Sequence, residues 1–384
     1  MYYLKGDVVT DGRILKNSFV EIKDGKISYI NQEMKKNDVP VYEINDGYIC
    51  PGFTDIHIHG IDGMDFMDEE PAIFRSISNG LLKYGVTSYL ATSRTAALQD
   101  IQRFLEAADK HKHELINGAK MLGVHIEGPW ISTKYKGAQS EELIRKLTKE
   151  DMKNVIKPFT DIIKKITLAP EELTDISVIR KLKEMGVNSS AGHTNATIDE
   201  IEQAMEYGLK QLTHTFNAMS PLHHRTPGAT AAALLFDDLI CELITDGVHV
   251  HPKVIELLYK VKGKKGLALI SDCTGYNKLP NGEYSLRGKD LIGNGNKVTL
   301  KNGTLAGSAI TLDKGIKFVV ENCNIPLEDA IFMATQTPLS TIDGMSNSGR
   351  VAVGHAADLI ILNKKLEVSE TIINGKTVFK KEME

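Results

Sequence analysis

Apolar and polar positions follow two different patterns along this chain. In the first fifty residues, short alternating runs are separated by the dipeptides Asp11-Gly12 and Asp24-Gly25, which is typical of β-hairpins. Near the other end, an apolar run at 358–362 precedes an Asn374-Gly375 turn. Because both ends are β-rich, we expect residues 1–50 and 346–384 to form one small β-sandwich domain.

Between the two ends, apolar runs of strand length alternate with segments of helix length. The predicted strands are 52–60, 86–92, 120–128, 166–170, 187–193, 211–217, 239–249 and 267–275. Predicted helices include 72–84, 176–185, 197–207 and the Lys- and Glu-rich segment 141–164. Eight strand–helix units in about 250 residues are typical of a (β/α)8 TIM-type barrel, to which we assign residues 51–345. A doubly wound sheet is the competing fold, but no Gly-x-Gly-x-x-Gly motif follows the first strand.

One segment of the barrel region breaks this alternation. Residues 277–304 contain five glycines and precede a helix predicted at 309–321. Glycine-rich segments of this kind favour tight turns over helices. We therefore expect an irregular β insertion after the last barrel strand.

Composition and charge exclude several classes of protein. Hydrophobic residues make up 42% of the chain and charged residues 25%, which is typical of a globular protein and excludes a disordered or collagen-like one. The net charge of −4 and the lack of a basic stripe argue against nucleic-acid binding. No apolar run approaches the ~18 residues of a membrane helix, and the N-terminus has no signal-peptide pattern. Since the four cysteines are also widely spaced, we expect a cytoplasmic protein without a membrane or nucleic-acid partner.

Candidate metal ligands stand at or near the C-terminal ends of the predicted barrel strands, where active sites of this fold are built. The histidines at these positions are His57, His59, His125, His193, His214 and His249. His57 and His59 are two residues apart, so both side chains point to one face of their strand. Glu127 and Asp272 end two other strands. Imidazoles with carboxylates at one barrel mouth predict a metal site suited to ions such as zinc or iron.

A metal held at this mouth predicts hydrolytic chemistry. Such an ion lowers the pKa of bound water toward ~7 and polarises a carbonyl group. Asp272 is placed to take the proton of the water and hand it to a leaving amine, and His249 to stabilise the oxyanion. The residues alone therefore predict hydrolysis of an amide, a cyclic amide or an amidine.

The order of these residues resembles the amidohydrolase superfamily, and the local motifs are similar to those of N-acetylglucosamine-6-phosphate deacetylases. The resemblance covers nearly the whole chain, and its most specific parts are the Glu127 segment and residues 213–219. The matching stretches are Pro51-Gly52-Phe53-Thr54-Asp55, His125-Ile126-Glu127-Gly128-Pro129, Lys136-Gly137-Ala138, Gly192-His193-Thr194, Thr213-His214-Thr215-Phe216-Asn217-Ala218-Met219, Asp246-Gly247-Val248-His249, Ser271-Asp272 and Leu305-Ala306-Gly307-Ser308.

This resemblance implies an activity and a set of site residues. The implied reaction converts N-acetyl-D-glucosamine 6-phosphate and water to D-glucosamine 6-phosphate and acetate, in amino-sugar catabolism or cell-wall recycling. The implied ligands of the main divalent ion, zinc or iron, are Glu127, His193 and His214. His57 and His59 allow a second ion bridged by Glu127. Asp272 is the implied general acid and base, and His249 the group that holds the acetamido carbonyl.

The resemblance also implies the contacts of the phosphorylated amino sugar. The implied contacts are Ala138 and Leu305 in the sugar pocket, with Asn217, the Ala218 backbone and Arg225 at the phosphate. In this family the arginine reaches in from a neighbouring subunit, so a homodimer is expected. Gln139 stands where other members have a histidine, and its amide can still hydrogen-bond a sugar hydroxyl. We expect His223, His224 and His251 to be exposed loop residues.

Three alternatives remain open at this point. The first is a deacetylase whose substrate is the galactosamine epimer, N-acetylgalactosamine 6-phosphate. The second is a cyclic-amide hydrolase on the same barrel, although such enzymes often bridge two metals with a carboxylated lysine where this chain has Glu127. The third is a catalytically silent binding protein, which would not need Asp272 together with every candidate metal ligand.

Overall fold

Eight parallel strands form the central barrel of the computed structural model, which describes residues 1–36, 38–68, 72–114, 117–345 and 348–382. The strands are β5 (Phe53–Ile58), β6 (Val86–Ser93), β7 (Lys120–Glu127), β8 (Ile163–Leu168), β9 (Asn188–Ala191), β10 (Gln211–Leu212), β11 (Ile240–Ile244) and β12 (Leu267–Ile270). They pair in chain order, and each corresponds to one of the predicted strands. Hydrogen bonds from Asp272 N to His57 O and from His59 N to Cys273 O, both 2.9 Å, join the last strand to the first. The predicted TIM-type barrel is therefore confirmed.

Helices pack their apolar sides on the outside of this barrel. They are α1 (Ile73–Leu81), α2 (Leu98–Lys112), α3 (Lys149–Asp151), α4 (Ser177–Glu184), α5 (Ile198–Glu206), α6 (Ala229–Leu235), α7 (Pro252–Lys262), α8 (Leu312–Asn322), α9 (Leu327–Met333) and α10 (Gln336–Ser340). Helix α5 shows why they begin where they do. The Thr197 hydroxyl accepts from Glu200 N, and the Glu200 carboxylate accepts from Thr197 N, so the two residues cap the first turn. Ile201 and Ala204 then turn inward to the core.

The continuous helix expected at 141–164 is wrong. This segment contains a 3-10 turn at Glu141–Leu143, the single turn of α3, and short turns at Met152–Ile156 and Lys157–Phe159. Pro158 has no N–H to donate, and strand β8 already begins at Ile163. The Asp151 carboxylate accepts a hydrogen bond from the buried Trp130 indole at 3.1 Å, so this segment is shaped by its packing on the barrel.

Strands from both chain ends form one sheet of seven, which confirms that the two ends pair. The strands are β1 (Tyr2–Thr10), β2 (Arg13–Lys23), β3 (Lys26–Asn31), β4 (Val41–Pro51), β16 (Leu359–Asn363), β17 (Val368–Ile373) and β18 (Lys376–Lys380). Strand β4 pairs in parallel with β1 and antiparallel with β16, with Ile49 opposite both Val8 and Ile361. These three side chains belong to a small apolar core of the sheet. The proposed domain boundary at 346 lies outside the described residues.

The β insertion expected after the last barrel strand is an antiparallel sheet of three strands, β13 (Gly282–Leu286), β14 (Lys289–Asn294) and β15 (Lys297–Leu300). Its first turn reaches the barrel mouth. There Arg287 bonds the Asp68 carboxylate at 2.8 Å, and Lys289 Nζ donates to Ala138 O at 2.8 Å. The insertion therefore forms one wall of the mouth. Within the described ranges, none of the helices has the length and hydropathy needed to cross a bilayer.

Candidate active site

The Glu127 carboxylate is the centre of a cluster of buried imidazoles at the C-terminal end of the barrel. Its Oε1 atom lies 3.2 Å from His214 Nε2, 3.3 Å from His193 Nε2 and 3.4 Å from His57 Nε2. Its Oε2 atom lies 3.5 Å from His59 Nε2. Two groups of three donors therefore share a single glutamate. One contains His57 and His59 at the end of β5, and the other contains the histidines that follow β9 and β10.

This donor set fits a divalent cation. His193 Nδ1 faces the Tyr135 carbonyl oxygen at 3.0 Å, so Nδ1 carries the hydrogen and Nε2 presents a lone pair to the cluster. His193 Nε2 and His214 Nε2 are only 3.0 Å apart. His57 Nε2 is buried and has no hydrogen-bond partner in the part of the chain that the structure describes. Nitrogen lone pairs and a carboxylate converging on one point are the ligands of zinc, iron and related ions.

The backbone is bent where the strands deliver these side chains. His193, His214 and Asp272 have φ angles of 47°, 31° and 48°, in the left-handed region that non-glycine residues rarely adopt. Such conformations persist only where the surrounding structure holds them, and they are concentrated at functional sites. The turns that end β9, β10 and β12 thus aim three site residues inward.

The electrostatics of the cluster also favour a bound cation. Burial would raise the pKa of Glu127, but the charge of His57 and the close contacts of the carboxylate with the imidazoles hold it well below its usual range. Burial would likewise raise the pKa of Asp272, and His57 and His59 lower it. Burial lowers the pKa of His57, yet Asp272 and Glu127 raise it to about 10. The negative charge of the two carboxylates therefore stabilises a positive charge at His57, either a proton or a metal ion.

Asp272 lies at the seam where the barrel closes. Its Oδ1 atom is 3.2 Å from His59 Nε2 and 3.4 Å from His57 Nε2, and its side chain is nearly buried. The carboxylate therefore borders the donor cluster beside His57 and His59, in position to exchange a proton with a group bound there.

His249 is held by a neighbouring carboxylate. Asp246 Oδ2 lies 2.6 Å from His249 Nδ1, and Asp246 Oδ1 accepts from the backbone N–H groups of Val248 and His249 at 2.8 Å each. Burial would raise the pKa of Asp246, but the hydrogen bond from His249 lowers it. The Nδ1 atom is thus occupied, and Nε2 is the ring nitrogen available to a ligand.

A cavity of about 370 Å³ opens above the cluster, within the size range of small-molecule sites. The sequence-predicted residues that line it are His59, Glu127, Ala138, Gln139, His193, His214, Asn217, Ala218, His249, Asp272 and Leu305. His57 is completely buried below them. His125 is equally buried, with Nε2 at 2.7 Å from Thr167 Oγ1, and belongs to neither group of donors.

Gln139 contacts the donor cluster in the structure. Its amide Nε2 donates to Glu127 Oε2 at 2.9 Å, and its Oε1 accepts from Thr95 N at 3.3 Å. Although the side chain lines the cavity, its amide N–H is thus engaged by the glutamate shared between the two donor groups. The sugar-hydroxyl contact expected for Gln139 stays a prediction.

Arg225 is exposed and is not among the residues that line the cavity of its own chain. Its guanidinium bonds His224 Nε2 at 2.8 Å on the same loop. His224 and His251 are exposed as expected, and His251 caps helix α7 by accepting from Lys253 N. His223 is half-buried and accepts from the Arg225 and Thr226 backbone N–H groups.

Two sets of residues near the site were missed by sequence reasoning. One is a pair of fully buried charges in the barrel interior, Lys165 on β8 and Glu242 on β11. Glu242 is a single charged residue inside an apolar strand, which was a usable signal, whereas β8 contains both Lys164 and Lys165 and only burial distinguishes them. The second set lines the cavity wall next to the β insertion and consists of Asp65, Arg94, Arg287 and Lys289. Arg94 pairs with Asp65 and Arg287 with Asp68, so these two guanidinium groups already have carboxylate partners.

The chain is similar in sequence and in fold to known proteins. Residues 48–378 match the model of the Amidohydrolase family. The chain is 36% identical over 377 residues to the N-acetylglucosamine-6-phosphate deacetylase of Bacillus subtilis, covering 97% of this chain and 95% of that one. It is 31% identical to the N-acetylgalactosamine-6-phosphate deacetylase of Escherichia coli O157:H7, with 96% and 97% covered. The crystal structure of the N-acetylglucosamine-6-phosphate deacetylase of Pasteurella multocida superposes with a TM-score of 0.92 at 31% identity and covers 98% of this chain and 99% of that chain.

Proposed function

This chain belongs to the amidohydrolase family, and from that premise we propose that it hydrolyses the acetamido group of N-acetyl-D-glucosamine 6-phosphate. The products are D-glucosamine 6-phosphate and acetate, and the reaction serves amino-sugar catabolism or cell-wall recycling. The observation that carries the proposal is the convergence of Glu127, His193, His214 and Asp272 below one cavity. That arrangement joins a metal-binding group to a carboxylate that can move a proton.

Glu127, His193 and His214 are the proposed ligands of the main ion, and zinc or iron suits their oxygen and nitrogen atoms. A divalent ion bound there supplies Lewis-acid polarisation of the acetamido carbonyl and makes the attacking water more acidic. His57, His59 and Glu127 are the proposed ligands of a second ion.

Asp272 is the proposed general base and then general acid. Its carboxylate takes a proton from the attacking water as the oxygen adds to the acetyl carbon. It then delivers that proton to the sugar nitrogen as the C–N bond breaks, so that acetate and a free amine leave. The lowered pKa of Asp272, which burial opposes and His57 and His59 cause, keeps it ionised and ready to accept the proton.

His249 is the proposed partner of the acetamido carbonyl. Asp246 engages Nδ1, which leaves Nε2 as the ring nitrogen that hydrogen-bonds the carbonyl oxygen. This bond strengthens as negative charge develops on the oxygen, which is the form of stabilisation that lowers a reaction barrier.

The sugar and its phosphate are proposed to lie along the cavity wall. Ala138, Gln139 and Leu305 contact the sugar, and Asn217 and the Ala218 backbone contact the phosphate. We propose that the protein is a homodimer and that Arg225 of the partner subunit contacts the phosphate and balances its remaining negative charge. The exposed position of Arg225, away from the cavity of its own chain, supports this assignment, because a phosphate dianion favours a guanidinium partner.

The domain organisation and the location of the protein complete the proposal. We propose residues 51–345 as the catalytic barrel and residues 1–50 with 346–384 as the small β domain. The cysteines Cys50, Cys241, Cys273 and Cys323 are all buried and unpaired. Free thiols are usual in a reducing compartment, and this supports a cytoplasmic location.

Acetate release is the assay that tests the function. The metal-stripped protein is measured with N-acetylglucosamine 6-phosphate, and again after addition of zinc, iron, manganese or cobalt. We expect turnover to return with metal and to require the phosphate, with the unphosphorylated sugar as the control. No turnover with any metal would contradict the proposal.

The galactosamine epimer is the second candidate substrate. The observation that favours it is the 31% identity to the N-acetylgalactosamine-6-phosphate deacetylase of Escherichia coli O157:H7. The identity of 36% to the N-acetylglucosamine-6-phosphate deacetylase of Bacillus subtilis is higher and favours the first substrate. Measuring kcat/KM for both epimers in the same assay decides between them, and a higher value for the galactosamine epimer would reverse the assignment.

A further inference from the structure

A buried ion pair lies in the barrel interior, directly below the donor cluster. Lys165 on β8 and Glu242 on β11 are 1% and 0% exposed. Lys165 Nζ bonds Glu242 Oε1 and also donates to Ile56 O at 3.2 Å. The lysine therefore ties one carboxylate oxygen to the strand that carries His57.

The other oxygen of this carboxylate faces the metal-site histidines. Glu242 Oε2 lies 3.1 Å from His57 Nδ1 and accepts from His214 N at 3.4 Å. Because an ionised carboxylate can only accept, His57 Nδ1 carries the hydrogen. The other ring nitrogen, Nε2, faces Glu127 Oε1 and Asp272 Oδ1, each 3.4 Å away, and is the atom left to bind a metal ion.

Stability does not account for an ion pair in this place. Removing two charges from water is costly, and apolar residues of similar volume are often equally or more stabilising. The contact with His57 supplies a different reason. A carboxylate that accepts from one nitrogen of a ligating histidine fixes the ring and its tautomer, and so raises the affinity of the site for metal.

We propose that Glu242 and Lys165 are positioning residues for the second metal ion. Lys165 holds Glu242, and Glu242 holds the His57 ring so that Nε2 points into the group formed with His59 and Glu127. The inference rests on the metal-dependent function proposed above, but it concerns how many ions the chain binds and how tightly.

The two ions depend on this pair to different degrees. His193 is oriented by the Tyr135 carbonyl oxygen, and no hydrogen bond or ion pair between described residues joins its ring to the buried pair. His214 meets Glu242 only through its backbone N–H. Within the described part of the chain, His57 is the ligand candidate that meets Glu242 through its imidazole ring. Disrupting the pair should therefore weaken the second ion while the main ion stays bound.

The test uses two double variants of the full-length protein, because changing one partner alone would leave an unpaired buried charge. Lys165→Met with Glu242→Met removes both charges and the acceptor for His57. Lys165→Met with Glu242→Gln removes both charges but keeps a carbonyl acceptor. Glu21→Gln is the matched control, since Glu21 is 6% exposed and hydrogen-bonded by Tyr3 and Ser28 in the other sheet.

Co(II) is titrated into each metal-stripped protein, and binding is followed by visible absorbance and by metal content after dialysis. We expect two binding steps in the unaltered protein and the control. In the Met/Met variant the second step should weaken by about 10–100-fold with the first unchanged. The Met/Gln variant should recover most of that loss, which a packing role would not produce.

Several outcomes would overturn the inference. They are an unchanged second step in the Met/Met variant, equal weakening of both steps, equal weakening in both double variants, and a single ion bound by the unaltered protein. Acetate release by the unaltered protein is measured on the same samples. If turnover is present and the binding steps do not separate, the inference fails and the proposed function stands; if turnover is absent, the function fails whatever the titration shows.

Discussion

Replacing Asp272 with asparagine separates proton transfer from binding. Asp272 has a φ of 48°, and asparagine tolerates this left-handed conformation better than most residues. The two side chains have nearly the same volume, so the contacts near His57 and His59 keep their geometry. The substitution therefore removes the charge and the basic oxygen without a cavity or backbone strain.

The expected magnitude follows from the two proton transfers assigned to this residue. A positioned general acid or base contributes about 10²–10⁴-fold. Because the same carboxylate serves attack and departure, we expect the upper part of that range, a loss of about 10³–10⁴-fold in kcat. At ~1.36 kcal/mol per factor of ten, this is about 4–5.5 kcal/mol of barrier. The KM should change by less than about 3-fold, since no predicted phosphate contact is altered.

Acetate release gives kcat and KM, and isothermal titration calorimetry gives substrate affinity for the inactive variant. Asp24→Asn is the control, because Asp24 also has a left-handed φ, of 50°, but lies in the turn between β2 and β3. It should match the unaltered protein. A kcat loss smaller than about 10-fold in Asp272→Asn, or a loss confined to KM, would refute the assignment of Asp272 as the proton carrier.

Three further predictions concern the dimer, the metal and pH. Arg225→Ala should raise KM for the phosphorylated substrate, and mixing it with inactive Asp272→Asn protein should restore turnover through mixed dimers; no recovery after subunit exchange would contradict a shared site. Stripping the metal should lower the thermal unfolding midpoint, since a ligand at 1,000 times its Kd stabilises by about 4 kcal/mol; an unchanged midpoint would count against a metal bound to the folded state. Hydrogen bonds from Ser28 and Tyr3 lower the pKa of Glu21 despite burial, so its contribution to stability is complete above the unfolded pKa of ~4.3 and is lost as pH falls through the folded value. In urea titrations, Glu21→Gln should therefore lose less unfolding free energy than the unaltered protein between about pH 5 and pH 3, and parallel losses would disprove this linkage.

The barrel and its ligand candidates could be predicted because the relevant signals are local. Each strand is a short apolar run, and the C-terminal ends of parallel strands meet at one edge of the barrel. His57, Glu127, His193 and His214 each follow or end such a run, so their convergence required no knowledge of packing. The terminal sheet was equally accessible, since its turns are Asp-Gly and Asn-Gly pairs.

The segment 141–164 shows where local signals fail. Its lysine and glutamate content favours a helix, but Pro158 interrupts it and the Asp151 carboxylate is directed to the Trp130 indole. Trp130 is itself buried in the barrel domain. The conformation of the segment therefore depends on contacts with residues outside it, which its own sequence does not reveal. Helix propensity is weak enough for such tertiary contacts to override it.

The sequence by itself therefore determined the order of strands, the barrel, the terminal sheet and the residue types at the barrel mouth, since each is encoded within a few neighbouring positions. Tertiary structure alone decided the pairing of Lys165 with Glu242 and the contact between Gln139 and Glu127. The first pair is separated by 77 residues and meets only across the closed barrel interior. The second depends on how the loop after β7 folds back over its own strand. Such contacts join groups whose separation along the chain carries no periodic signal, and so only the packed barrel could define them.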